Sequence, residues 1–160
     1  MNDWLIADAQ TRSLAHRYAL ALDQRDIASM SALFASDARF GRYGVGPDGA
    51  REFYSVIPRR FSRSVHTVGT QVVNIHDDAT SASGIVYCRA EQQDPETQVW
   101  TTLQFAYHDE YVLEGDRWLF RARAPKFWYR ESEGVRTIAD DATAIPTSWE
   151  TWRRYFDLTD

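Results

Sequence analysis

Cysteine is almost absent: Cys88 is the single thiol in 160 residues, so no disulfide can close within the chain. That usage suits a reducing compartment, and a cytoplasmic protein is expected. The opening residues, Met1-Asn-Asp-Trp-Leu-Ile, lack a basic segment followed by an apolar run, so no secretory leader is expected. No apolar stretch nears the roughly 20 residues that span a bilayer as a helix. An excess of positive charge is also missing, with 18 Lys and Arg against 23 Asp and Glu and a net charge of −5. Phosphate backbones are held by basic faces, so nucleic acid is not an expected partner. The short cluster Arg59, Arg60 and Arg63 reads as the solvated side of a helix.

Several chemical signatures are lacking as well. The four histidines, His16, His66, His76 and His108, show neither the His-x-x-x-His spacing of a helix nor the His-x-His spacing of a strand. No metal is therefore expected. His108-Asp109-Glu110 is compact in sequence, but successive strand residues face opposite ways. Gly44-x-Gly46 is not followed by the rest of a dinucleotide fingerprint. Neither Ser62 nor Ser64 sits on a nucleophile elbow. No cofactor is expected, and the chain carries no repeat or low-complexity block.

What the chain does have is apolar mass. Hydrophobic residues make up 44%, with six Trp, eight Tyr and eight Phe, enough for a core and an apolar ligand pocket. One compact domain is expected, over 1–135, with a C-terminal extension over 136–160. Leu14, Tyr18, Ala21 and Leu22 share a stripe at helical spacing within 8–22. Asp26 is a fair N-cap for a second helix through Phe34. Ala38–Phe40 reads as a short strand and the glycines from 44 to 49 as a loop. A third helix is expected over 48–61, bent or ended by Pro58. Then a β-branched run at 65–75 and further strand-like runs at 81–91, 99–113 and 117–129 take over, separated by turn residues. Helices first and a meander after give an α+β fold, with three N-terminal helices on one face of a curved antiparallel sheet. Residues 131–144 are mostly polar. Pro146–Phe156 reads as a short amphipathic helix, and Trp149, Trp152, Tyr155 and Phe156 need cover from the pocket mouth, a neighbouring subunit or their own domain.

Two residues stand out as chemistry. Asp23 closes the first helical stretch and His66 opens the first long strand. A carboxylate that orients an imidazole makes a general base that works near neutral pH. Taken singly, His66 is equally a half-buried strand histidine, and Asp23 a helix-end carboxylate. Tyr18 lies five residues before Asp23, off the same narrow stripe, and is either a core tyrosine or a cavity wall. Arg121 and Arg123 are expected on one strand face, as are Tyr87 and Arg89, with Cys88 opposite Tyr87.

Three segments carry a family resemblance: Tyr18 through Asp23-Gln-Arg-Asp26 to Ala38-Arg-Phe40, His66-Thr-Val-Gly69 through Gly84, and Gly115-Asp116-Arg117-Trp118 to Arg121. Together they resemble the SnoaL-like branch of the nuclear-transport-factor-like superfamily. The resemblance implies a cone, a curved sheet wrapped round the helices and enclosing an apolar pocket. In the family's dehydratases and dehydrochlorinases an Asp–His pair takes a proton from carbon, and Asp23 and His66 fall at those positions. Tyr18 falls where relatives touch the substrate, and Arg123 near an arginine of a dehydrochlorinase. Phe40, Phe53, Ile57, Tyr87, Leu103 and Tyr107 fall where relatives line the pocket. One departure is that no histidine lies between Ile85 and Arg89, where a dehydratase of the family has a second one. The implied function is a cofactor-independent lyase acting on a hydrophobic, ring-containing small molecule. A homodimer or homotrimer is expected, formed in part by the open face of the sheet or the C-terminal aromatic helix. A polyketide cyclase or isomerase with the same pair, or a non-catalytic small subunit of a ring-hydroxylating dioxygenase, is the alternative.

Overall fold

The computed structural model describes residues 3–139. Helix α1 spans Asp3–Gln24, and its buried stripe comprises Ala7, Leu14, Tyr18, Ala21 and Leu22. It begins before residue 8, where the apolar stripe was expected to start. Asp26 caps α2 (Ile27–Ser31) by accepting from the Ser29 N–H at 3.0 Å. The expected strand at 38–40 is only a single bridge, Arg39 to Val45, followed by a 3-10 turn at Gly41–Tyr43.

The third helix is two pieces, α3 (Gly46–Tyr54) and α4 (Ile57–Arg60). The break falls ahead of Pro58 rather than at it. Pro58 has no N–H to give the Tyr54 carbonyl, so the ladder stops four residues upstream. Helix α3 sits tightly against the preceding loop. A Cβ on Gly49 would lie 2.6 Å from the Gly44 carbonyl carbon. Gly49→Ala is expected to lose about 1–3 kcal/mol of stability, read as a lower denaturant midpoint at unchanged slope.

The sheet is a five-stranded antiparallel meander in the order β1-β2-β3-β4-β5. The strands are β1 (Arg63–Ile75), β2 (Ser81–Gln93), β3 (Trp100–Glu114), β4 (Arg117–Ser132) and β5 (Val135–Ile138). β5 pairs with β4 where the sequence reads as polar tail. Its four residues are all exposed, so it carries no alternating apolar signal. The sheet is curled and unclosed, and α1 contacts both β1 and β4. The core fills the concave side, where Val86, Cys88, Ala90, Phe105, Tyr107 and Phe120 meet Tyr18, Leu22, Phe34 and Tyr54. This is the expected α+β cone. No helix among the described residues is long and apolar enough to cross a membrane. The aromatic segment 146–156 lies outside the described residues.

Strand alternation decides two side chains against expectation. Val86, Cys88 and Ala90 point into the core, so Tyr87 points to the other face, where it joins Ile85, Ala106 and Trp128. Tyr87 therefore does not line the concave side. Arg121 and Arg123 do not share a face either. Tyr111 pairs with Phe120 but Glu110 with Ala122, leaving Arg121 as the extra residue of a β-bulge. Arg121 remains half-exposed on Asp37, while Arg123 turns inward with 2% of its side chain accessible.

Candidate functional site

Asp23 and His66 meet where the C-terminus of α1 crosses the start of β1. The imidazole is buried, 2% accessible against 23% for the Asp23 side chain. His66 Nδ1 lies 2.6 Å from Asp23 Oδ1. The His66 backbone N–H donates to Oδ2 at 2.8 Å, and the Ser64 hydroxyl donates to Oδ1 at 2.8 Å. Burial pushes the Asp23 carboxyl up, but the hydrogen bonds from the His66 ring, the His66 N–H and Ser64 outweigh it and hold the group below its usual value. An ionised carboxylate only accepts. The proton between the pair therefore sits on Nδ1, and in the neutral ring the lone pair is on Nε2.

The sign of this shift gives a stability prediction. A carboxyl depressed on folding contributes stability that is fully present above its unfolded value, about pH 4, and is lost as pH falls through the folded value. The deficit of Asp23→Asn relative to the parent, measured by urea unfolding, should thus be largest near neutrality and shrink below pH of about 4. A deficit that is flat with pH would contradict the carboxylate's role.

The end of α1 explains how Asp23 is placed. The Asp26 N–H bonds the Ala21 carbonyl at 2.9 Å and the Arg25 N–H the Leu22 carbonyl at 3.2 Å, the pair of bonds of a Schellman cap. Arg25 occupies the left-handed position, φ +59°, where glycine is the usual residue and a side chain costs on the order of 1 kcal/mol. The Arg25 guanidinium stacks on Phe61 and donates to Ser64 Oγ at 2.8 Å, to the Leu22 carbonyl at 2.7 Å and to the Phe61 carbonyl at 3.3 Å. Sequence reasoning passed over Arg25 and weighed Ser64 only as a nucleophile. The signal for Ser64 was available, because it lies two residues before His66 and shares its strand face.

A second buried cluster holds Tyr18 and Arg123. Arg123 donates to Asp109 through Nε and Nη2, both at 2.8 Å, leaving Nη1 as the nitrogen the carboxylate does not engage. The guanidinium lies 4.5, 4.0 and 4.3 Å from the ring centroids of Tyr18, Tyr107 and Phe120, within the range of cation–π attraction. Burial alone would pull Arg123 down, but the Asp109 charge and hydrogen bonds hold it above its ordinary value. The Tyr18 hydroxyl donates to Tyr54 Oη at 3.1 Å. Burial raises Tyr18, so its phenol stays neutral. Asp109 also accepts from Tyr111 at 2.9 Å. From sequence Asp109 was weighed only in the cluster with His108 and Glu110, and Tyr54 was not assigned a role in the site. Cys88 is buried in the same core, and burial pushes its thiol up to about 12, with Arg123 pulling it down and Asp23 pushing it further up.

Of the residues matched to a pocket, Tyr107 is buried, and Phe40, Ile57 and Leu103 are half-buried against the same core. Phe53 is 38% exposed and touches Phe40, Tyr43 and Tyr54. Leu103 also borders an apolar groove of about 510 Å³ with Phe127, Tyr129, Val135 and Ile138. Asp23, His66, Tyr18 and Arg123 are not among that groove's lining residues.

Comparison with known proteins places the fold. The SnoaL-like domain matches residues 5–124. The chain belongs to the SnoaL-like family. Among solved structures, the dehydrochlorinase LinA-type3 of Novosphingobium barchaimii, which acts on hexachlorocyclohexane, superposes with a TM-score of 0.74 at 19% identity, over 86% of this chain and 97% of the other. A scytalone dehydratase candidate from Novosphingobium aromaticivorans gives a TM-score of 0.71 at 18% identity, over 86% and 94%. A candidate aromatic ring hydroxylase from the same organism gives 0.66 at 21%, over 84% and 94%. At these identities the likeness is one of fold. No curated protein matches the chain.

Proposed function

We propose that this SnoaL-like protein is a cofactor-independent lyase of the dehydratase or dehydrohalogenase type, with Asp23 and His66 as its acid–base pair. The observation that carries the reading is the 2.6 Å contact of a buried imidazole with a carboxylate held by two further donors. Asp23 fixes the tautomer and stabilises the imidazolium. His66 Nε2 takes a proton from carbon, the electron pair forms a C=C bond, and the neighbouring carbon loses halide, with the imidazolium proton passing to solvent, or loses its hydroxyl as water, with the imidazolium returning the proton to the leaving oxygen. Tyr18, by turning the hydroxyl hydrogen it gives Tyr54 toward the substrate, or Arg123, through Nη1, would steady the enolate or the leaving group. Phe40, Phe53, Ile57, Leu103 and Tyr107 supply apolar and aromatic wall for a ring-bearing substrate. The fold shared with a dehydrochlorinase and a dehydratase candidate supports the same class. Cyclisation or isomerisation would use the same first step and differ only in the fate of the carbanion.

The test is direct. Purified protein should release chloride from hexachlorocyclohexane, or water from scytalone, at a rate unchanged by a chelator and without added nicotinamide. The likeness to a candidate ring hydroxylase keeps a second reading, a small subunit that supports a larger catalytic partner. Purification as a homodimer or homotrimer favours the lyase, whereas recovery only with a large partner chain favours the subunit.

A further inference from the structure

We infer that Arg25 and Ser64 form a positioning relay for the Asp23–His66 pair, a role that rests on the reading of that pair as the acid–base centre. Three observations converge. Arg25 occupies the left-handed cap position of α1, which a glycine would fill without strain. Its presence there calls for a use of its side chain. That side chain is fixed at four points, by the Leu22 and Phe61 carbonyls, by stacking on Phe61 and by Ser64 Oγ. Ser64 in turn is buried, 7% accessible, and its hydroxyl hydrogen goes to Oδ1, the same carboxylate oxygen that takes the His66 ring proton.

The relay has an electrostatic consequence. A guanidinium one hydroxyl away polarises the Ser64 O–H toward Asp23. The carboxylate oxygen facing the ring is thereby shared between two donors, and its pull on the Nδ1 proton is moderated. A base must keep Nε2 free to accept a proton and must also give that proton back. The relay sets the strength of the Asp23–His66 bond, while the His66 N–H on Oδ2 keeps the carboxylate in place. Asp23 is thus held from the helix side by Arg25 through Ser64 and from the strand side by His66 itself.

The readout is the ring nitrogens of His66 by ¹⁵N NMR on the full chain in the neutral-ring range, with the signals assigned by their loss in His66→Gln. The parent should show a protonated Nδ1 and an unprotonated Nε2. In Ser64→Ala one of the two donors to Oδ1 is gone, so the Nδ1 signal should move downfield. Arg25→Gly relieves the cap and keeps the hydroxyl, and it should move Nδ1 in the same direction by less. Arg25→Lys restores the cation and should return the signal toward the parent. A purely structural role for Arg25 and Ser64 would change the unfolding midpoint and leave Nδ1 where it was. An unmoved or upfield Nδ1 in Arg25→Gly and Ser64→Ala overturns the relay. Should Ser64→Ala not fold, the two Arg25 variants decide alone. A parent protonated on Nε2 instead overturns the acid–base pair itself, a separate outcome.

Discussion

His66→Ala is expected to lower turnover by about 10²–10⁴-fold, the usual contribution of a positioned general base, with the folded state retained. The fold should survive because the substitution keeps the backbone N–H that holds Asp23 Oδ2, and Ser64 still serves Oδ1. Asp23 therefore does not become an unpaired buried charge. Asp23→Asn should also lose most of the rate while the substrate still binds. An amide can donate to Nδ1, which leaves the proton on Nε2 and removes the lone pair that accepts from carbon. Initial rates of chloride or water release, with circular dichroism to verify folding, separate these effects. If both variants turned over at the parent rate, proton abstraction by this pair would be wrong.

Asp109→Ala is expected to destabilise the protein by about 3–5 kcal/mol, because it strands a buried guanidinium. Arg123 is 2% and Asp109 0% accessible at the side chain, so water cannot replace the lost partner. Tyr111 loses its acceptor in the same step. The contrast is Arg121–Asp37, where both side chains are about half exposed. Asp37→Ala should change stability by no more than about 1 kcal/mol. Removing both members of the buried pair, as Asp109→Leu with Arg123→Met, should recover much of the loss, since apolar replacements of a buried ion pair often fold as well as the pair. Urea unfolding of the singles and the double measures this coupling. A small loss in Asp109→Ala would show that the guanidinium is paired by other groups. The double variant should still lack whatever Arg123 gives the reaction, which separates its role in the fold from its role in chemistry.

The pattern of the chain by itself determined the α+β class and the long strands, and the family resemblance singled out the candidate pair. β-Branched runs and the turn residues between them located the strands 63–75, 81–93, 100–114 and 117–132 to within a few residues, because such residues suit a pleated, half-buried surface and turns interrupt it. Helical spacing found the buried stripe of α1 for the same kind of reason. Asp23 and His66 could be named from local context, but their contact spans 43 positions, and no local rule brings such residues together.

Only the tertiary structure decided where Arg123 points and what it pairs with. Counting back from the turn at 115–116 without a slip would set Ala122 opposite Asp109, but the bulge at Arg121 shifts the register by one and sets Arg123 there. A one-residue slip turns every later side chain to the other face, so a bulge invisible in sequence sends one arginine to solvent and buries the next. Alternation also placed Tyr87 on the convex side once Val86 and Cys88 were turned inward. The short strand β5 depended on pairing with β4 alone, since its exposed residues carry no pattern for a sequence to show.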